Sequence, residues 1–521
     1  MIPPETVTPP DGEAAGQRLA RAGAALRALA SPSVLLAATA ILVVILYGRL
    51  LGRSFWVDEA GTFWMAHEGP LAALRKTWRW PGQSILFSIV SSLFCFDGNP
   101  YRDQILRIPS LLGIAAACYF LYRFAEDAIG RGAGGIASTL FVLSPMALEF
   151  GTQARPYALA MAAAAASCWT LVRWVSTHDR RWLVWYALSS ALVLHLHYLF
   201  SLVLLAHAVF LLAEVTVRKR LVRWRELLLA YAAIGFLVAP LVPHFMLLLR
   251  ESHTLPFAPK PTIEQLPVLL LPSTMGAGLL LAGLLVHSLF RERPPVVRPQ
   301  SLPLLAMVMT LWVVCPLIVF AASSATPMRM FLNRYVSYSE LGLVIALAFA
   351  GYSMFGSRAG RAWALLGMAA ITASPLRLVF EADVGREELR PFLDVIRQES
   401  VRTRSLPPVF FRSELVESSF YDWRSGNAKG SYLYAPFVAY VMPNPLLPLP
   451  YRLTDEVKEQ VSGWLQSGLK DRSEVLLVTT DESWIPWFTS RFETAGFGAR
   501  VLRPNRFCVV VFERSDAARN D

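Results

Sequence analysis

Apolar runs long enough to cross a bilayer, which takes roughly 20 residues, recur from Ser33 to Phe380 and then stop. They fall at 33–51, 108–126, 132–150, 157–175, 182–199, 200–217, 227–248, 266–290, 302–322, 336–355 and 362–380, and predict eleven helical spans. Beyond 380 the pattern shortens. Strand-like runs, "PPVFFRS" at 407–413, "YLYAPFVAYV" at 432–441, "EVLLVTT" at 474–480 and "RFCVVVF" at 506–512, alternate with amphipathic helical patterns around 386–401, 453–469 and 484–496. The expected fold class is an α-helical polytopic membrane protein with a C-terminal α/β domain. The expected division is a cytoplasmic tail over 1–32, a transmembrane domain over 33–380 and a soluble domain over 381–521.

One apolar stretch, "QSILFSIVSSLFCF" at 83–96, has only 14 residues and suits an interfacial or re-entrant helix better than a span. Charge supports that reading. The basic stretches at 122–132, 176–181, 218–226, 291–298 and 357–361 share the side of the N-terminal Arg18, Arg21 and Arg27 only if 83–96 does not cross. Residues 52–107 then form one long external region carrying one or two juxtamembrane helices, and the C-terminal domain lies on that same extracytoplasmic side. The expected location is the cell (inner) membrane, multi-pass.

Composition narrows the class further. With 55% hydrophobic and 17% charged residues, the chain is too apolar for an ordinary soluble protein. The net charge of +11 is spread over short loops, where membrane orientation accounts for it, so a nucleic-acid partner is not expected. Five cysteines without a CxxC spacing point to neither a disulfide framework nor a metal site.

The candidate chemistry lies at the external ends of spans. Asp58 and Glu59 follow the first span within "SFWVDEAGTFW" and are flanked by aromatic residues. A carboxylate at that depth can act as a general base beside a substrate whose lipid lies in the bilayer; the plainer alternative is an acidic loop in an aromatic belt. In "GTQARPYALA", between the third and fourth spans, Arg155 breaks the positive-inside pattern and calls for a compensating anion, with Glu149, Gln153 and Tyr157 nearby. In "MRMFLNRYVSYSE", Arg329 and Arg334 with Tyr335 stand where a lipid phosphate would lie, although arginines there also snorkel without binding anything. His195 and His197 are two apart, so on a helix they diverge and do not make an i, i+4 metal pair; His197 is kept as a pocket-lining residue.

In order, the "DE" pair after the first span, the long first external loop, "QARPYALA", "HLHY" and "NRYVSYS" resemble bacterial membrane glycosyltransferases of the GT-C superfamily. The nearest branch is the one with protein O-mannosyltransferases and the lipid A aminoarabinose transferase. The resemblance covers roughly 33–380. It implies transfer of a hexose or pentose from a polyprenyl-phosphate donor to a glycan, lipid or protein acceptor outside the membrane. It also implies Asp58 as catalytic base, Glu59 as its partner, and Arg155, Arg334 and Tyr335 near the donor phosphate. No nucleotide or redox cofactor is implied, and a divalent cation stays open. Two departures stand out. Gln153 occupies a position where the family commonly has an acid, so a metal would need Glu149 one turn earlier, and "WPGQ" at 80–83 replaces a His-Pro-Pro or Lys-Pro-Pro motif. The alternatives are a lipid-linked sugar transporter or flippase, or a catalytically silent member that binds a glycan.

Overall fold

The computed structural model describes residues 11–217, 223–251, 260–271, 273–290, 302–326, 329–371, 388–415, 432–469 and 472–514. The basic stretch 291–298, most of 218–226 and the first residues of the expected C-terminal domain lie outside them. The stretch expected as an N-terminal tail contains a helix, Asp11–Leu29.

Among the described residues, seven helices are long and apolar enough to cross a membrane: Pro32–Leu51, Ile108–Ala128, Tyr157–Thr177, Tyr198–Thr216, Trp224–Arg250, Leu302–Ala325 and Ser339–Gly356. An eighth candidate is the pair Ala133–Val142 and Pro145–Gly151, bent by 62° where Ser144 and Pro145 restart the helix. The other three expected spans differ in form. Residues 182–199 fall largely in a 17-residue helix, Arg180–Leu196. The stretch 266–290 is broken between Gln265–Leu270 and Ser273–Leu289. The run at 362–380 continues the preceding helix to Ile371 across a kink at Gly356, whose φ of 72° is open to glycine at little cost.

Local signals explain where the spans begin. Ser31 caps the first, its hydroxyl accepting from the Val34 amide at 3.3 Å, with Pro32 in the first turn. The Ala-rich helix Tyr157–Thr177 is almost wholly buried. It lies so close to Ile108–Ala128 that a Cβ on Gly113 would come within 2.7 Å of the Ala158 carbonyl carbon. Small residues permit that approach, and it brings the Arg155 carbonyl within 3.1 Å of the Ser110 hydroxyl.

Region 52–107, expected to be external, holds four short helices, Val57–Ala66, Pro70–Arg79, Ile85–Ser92 and Arg102–Leu106, where one or two were expected. Ile85–Ser92 has eight residues, about 12 Å of helix, far less than the ~30 Å of a hydrocarbon core.

The C-terminal domain is a five-stranded sheet: β1 Val409–Arg412, β2 Leu446–Leu449, β3 Glu474–Thr479, β4 Phe497–Leu502 and β5 Cys508–Arg514. Its order is β2-β1-β3-β5-β4, with β1 parallel to β2 and β3, and β5 antiparallel to β3 and β4. Helix Leu389–Thr403 packs on one face, and Asp455–Gln466 with Trp484–Thr494 on the other. Three expected strands hold, but 432–441 does not. Pro436 sits in the first turn of a helix, Ala435–Ala439, preceded by a 3-10 turn at Tyr432–Tyr434, and the run is apolar because it is buried against region 52–107. The strand next to it in sequence is instead β2, which tolerates Pro448 because it lies at a sheet edge.

This domain is joined to region 52–107 by paired backbone and side-chain contacts. The Leu389 amide donates to the Phe55 carbonyl at 3.0 Å, and the Phe55 amide donates to the Tyr440 hydroxyl at 2.9 Å. Tyr440 in turn donates to buried Asp103 at 2.7 Å, which also accepts from Arg390 at 2.6 Å.

Candidate active site

Asp58 and Glu59 begin the helix Val57–Ala66, and adjacent helical positions point about 100° apart. Their carboxylates therefore go to different places. Glu59 is fully buried. It takes a forked pair from Arg107, Nε to Oε1 at 2.7 Å and Nη2 to Oε2 at 2.6 Å. It also accepts from the Ala154 amide at 2.7 Å and the Trp56 amide at 3.2 Å. Arg107 spends its other donors on the Leu51, Arg53 and Ser54 carbonyls. Burial opposes its charge, but Glu59 outweighs that and holds the guanidinium above its ordinary range. The pair ties the end of the first span, the start of the second and the turn bearing Arg155 into one frame. Glu59 supports the site from behind and does not line it.

Asp58 remains partly open and lies between two arginines. Its Oδ2 accepts from Arg334 Nη1 at 2.9 Å and lies 3.7 Å from Arg155 Nη2. Arg155 also donates to the Asp58 carbonyl at 3.3 Å and to Gln83 Oε1 at 3.1 Å. Burial disfavours both guanidinium charges, yet Asp58 and the Tyr157 hydroxyl outweigh it, so both stay cationic. One carboxylate facing two guanidiniums leaves an excess positive charge.

An aromatic wall stands beside them. His197 packs between Tyr157 and Tyr335, with ring centroids 5.3 and 5.5 Å away. Arg155 lies 5.9 Å from the Tyr157 ring and Arg334 5.3 Å from that of Tyr335. Burial pushes the Tyr335 phenol up to about 12, so it keeps its proton and can donate. His195 points elsewhere, with Nε2 3.0 Å from the Leu237 carbonyl oxygen.

The other expected site residues divide. Gln153 is buried and reaches Glu149, exposed one turn earlier, only at 3.4 Å. Arg329 is not brought to Asp58. Its Nη1 donates to the Ser323 and Thr326 carbonyls at 2.6 and 2.7 Å, closing the C-terminal end of helix Cys315–Ala325, where unpaired carbonyls attract a cation. Gln83 was missed as a site residue and was legible only as a departure from a family motif. Arg107 and Asp103 carried no sequence signal.

A divalent cation does not fit beside Asp58, whose near neighbours are two guanidiniums. Among the described residues, one group of acids is close enough to share an ion, Glu399, Glu474 and Glu513 in the C-terminal domain, and Arg402 already bridges all three.

Residues 81–244 match the family model of dolichyl-phosphate-mannose-protein mannosyltransferases. Among solved structures, the chain is similar to ArnT from Cupriavidus metallidurans in the apo state, with 12% identity, TM-score 0.48 and 92% of this chain and 97% of that chain covered. It is also similar to the same enzyme bound to undecaprenyl phosphate, with 11% identity, TM-score 0.47 and 92% and 98% covered. No curated protein matches it. The family match, over residues 81–244, falls within the stretch that carries the resemblance to GT-C glycosyltransferases and agrees with it.

Proposed function

We propose that the protein moves a sugar from a polyprenyl-phosphate donor to an acceptor hydroxyl or amine on the extracytoplasmic face of the cell membrane, with the C-terminal domain on that face. The carrying observation is the placement of one carboxylate, Asp58, between the guanidiniums of Arg155 and Arg334 near the ends of three spans. Arginine forks match phosphate oxygens. A donor phosphate entering here competes with Asp58 for both arginines and releases the Asp58 carboxylate.

The acceptor atom then attacks the anomeric carbon. The bond from that carbon to the phosphate oxygen breaks, and the phosphate leaves with the electron pair. Arg155 and Arg334 stabilise the charge that develops on it, and Asp58 takes the acceptor proton. Glu59 and Arg107 hold the frame. The polyprenyl tail runs along the apolar helices.

The test is a transfer assay on purified protein with a polyprenyl-phosphate sugar, using Asp58→Asn as control. Turnover lost with Asp58→Asn supports the reading, and turnover retained refutes the assigned base. The silent glycan-binding reading rests on the departures in sequence, Gln153 where the family commonly has an acid and "WPGQ" at 80–83 where it has a His-Pro-Pro or Lys-Pro-Pro motif. Donor binding without any turnover in the parent protein would favour it.

A further inference from the structure

The geometry points to Tyr432 as a positioning residue through which the C-terminal domain sets the Arg155 guanidinium. The inference rests on the phosphate-binding reading of Arg155 above. Tyr432 belongs by sequence to the C-terminal domain, yet its ring is buried in the first external region. It lies 4.7 Å from the Trp80 ring and 5.4 Å from that of Trp64. Its hydroxyl accepts from Gln83 Nε2 at 3.2 Å.

A second observation shows that the helix carrying Asp58 is shaped around this side chain. A Cβ on Gly61, three residues after Asp58, would lie 2.4 Å from the Tyr432 hydroxyl oxygen and 3.1 Å from its ring carbon. Any larger residue at 61 would force Tyr432 away.

The chain of contacts has a defined polarity. A guanidinium only donates, so Arg155 requires Gln83 Oε1 to face it, as it does at 3.1 Å. The amide nitrogen must then face the opposite way, where the Tyr432 oxygen accepts from it. Without that oxygen the amide keeps only the Arg155 contact to hold it, and its NH2 group loses its acceptor. One phenol oxygen of the C-terminal domain thus completes the pair of contacts that fix Gln83 against the guanidinium beside Asp58.

The test uses full-length protein in detergent and farnesyl phosphate as a short polyprenyl monophosphate probe, with affinity read by calorimetry. Tyr432→Phe keeps the ring between Trp64 and Trp80 and removes only the oxygen. It should weaken binding about 5-fold, the scale of one hydrogen bond, and leave the melting temperature within ~2 °C of the parent, since the packed ring is retained. Gln83→Leu should weaken binding at least as much, and the double variant should bind like Gln83→Leu alone, because the two residues act in series. Gly61→Ala should reproduce the Tyr432→Phe loss. An unchanged affinity in Tyr432→Phe overturns the inference, as does a double variant whose loss is the product of the two single losses. Failure of the parent to bind the probe defeats the phosphate-site reading, and this inference with it.

Discussion

Asp58 and Arg334 stand 276 residues apart in the chain and 2.9 Å apart in space. That contact joins the helix Val57–Ala66 to the stretch before a late span, and Arg155 completes it from the turn between two central helices. In the proposed reaction, the carboxylate that pairs the arginines at rest is the group that must be free. Its loss should therefore separate binding from chemistry.

Asp58→Asn should lower transfer at least ~100-fold, the low end of what a positioned base contributes. Polyprenyl-phosphate affinity should hold or rise, because the amide no longer competes for Arg155 and Arg334. Turnover and calorimetric binding on the same preparation check both halves. Loss of binding along with turnover would show that Asp58 holds the site together and does not serve as its base.

Glu59→Gln should behave differently although its neighbour in sequence is Asp58. It leaves Arg107 buried without its carboxylate, and removing one partner of a buried pair typically costs ~3–5 kcal/mol. A clear fall in thermal midpoint or detergent-extracted yield is expected, with activity lost in proportion to folded protein. A stable Glu59→Gln with a specific loss of turnover would make Glu59 part of the chemistry.

Arginine geometry distinguishes Arg155 and Arg334 from Arg329. Lys at 155 or 334 retains charge but not the fork, and should weaken donor binding and transfer several-fold. Lys at 329 should leave donor affinity unchanged and lower stability by at most ~1 kcal/mol, since its contacts are helix-end carbonyls. Kinetics on the three Lys variants decide this, and parent-like behaviour of Arg155→Lys and Arg334→Lys together would place the phosphate elsewhere.

Sidedness is open to a chemical check. Val401 is 78% exposed on the C-terminal domain, and Thr177 ends the helix Tyr157–Thr177 opposite Arg155. In a cysteine-free background, a single Cys at 401 should react with an impermeant thiol reagent in cells whose outer barrier is permeabilised, and one at 177 should not. The reverse pattern would invert the topology.

What the sequence by itself determined were the features written in nearest neighbours. Hydrophobic run length marked the membrane helices, and the shortness of 83–96 is matched by the eight-residue helix there. Apolar runs gave away β1, β3 and β5, and the position of Asp58, Arg155 and Arg334 at span ends made them candidates. Edge strands stayed hidden: β2 carries a proline, and β4 is mostly exposed, so neither shows a buried apolar pattern. Partnerships were hidden too. Arg329 and Arg334 read alike in sequence, yet one closes a helix end and the other pairs with Asp58. Asp58 and Glu59 read as a pair, yet a rotation of about 100° per helical residue sends one to Arg334 and Arg155 and the other to Arg107. Tertiary structure alone decided these, because a charged side chain takes whichever counter-charge or carbonyl packing brings within ~3 Å. For Asp58, Gln83 and Tyr432 that neighbour comes from a distant part of the chain.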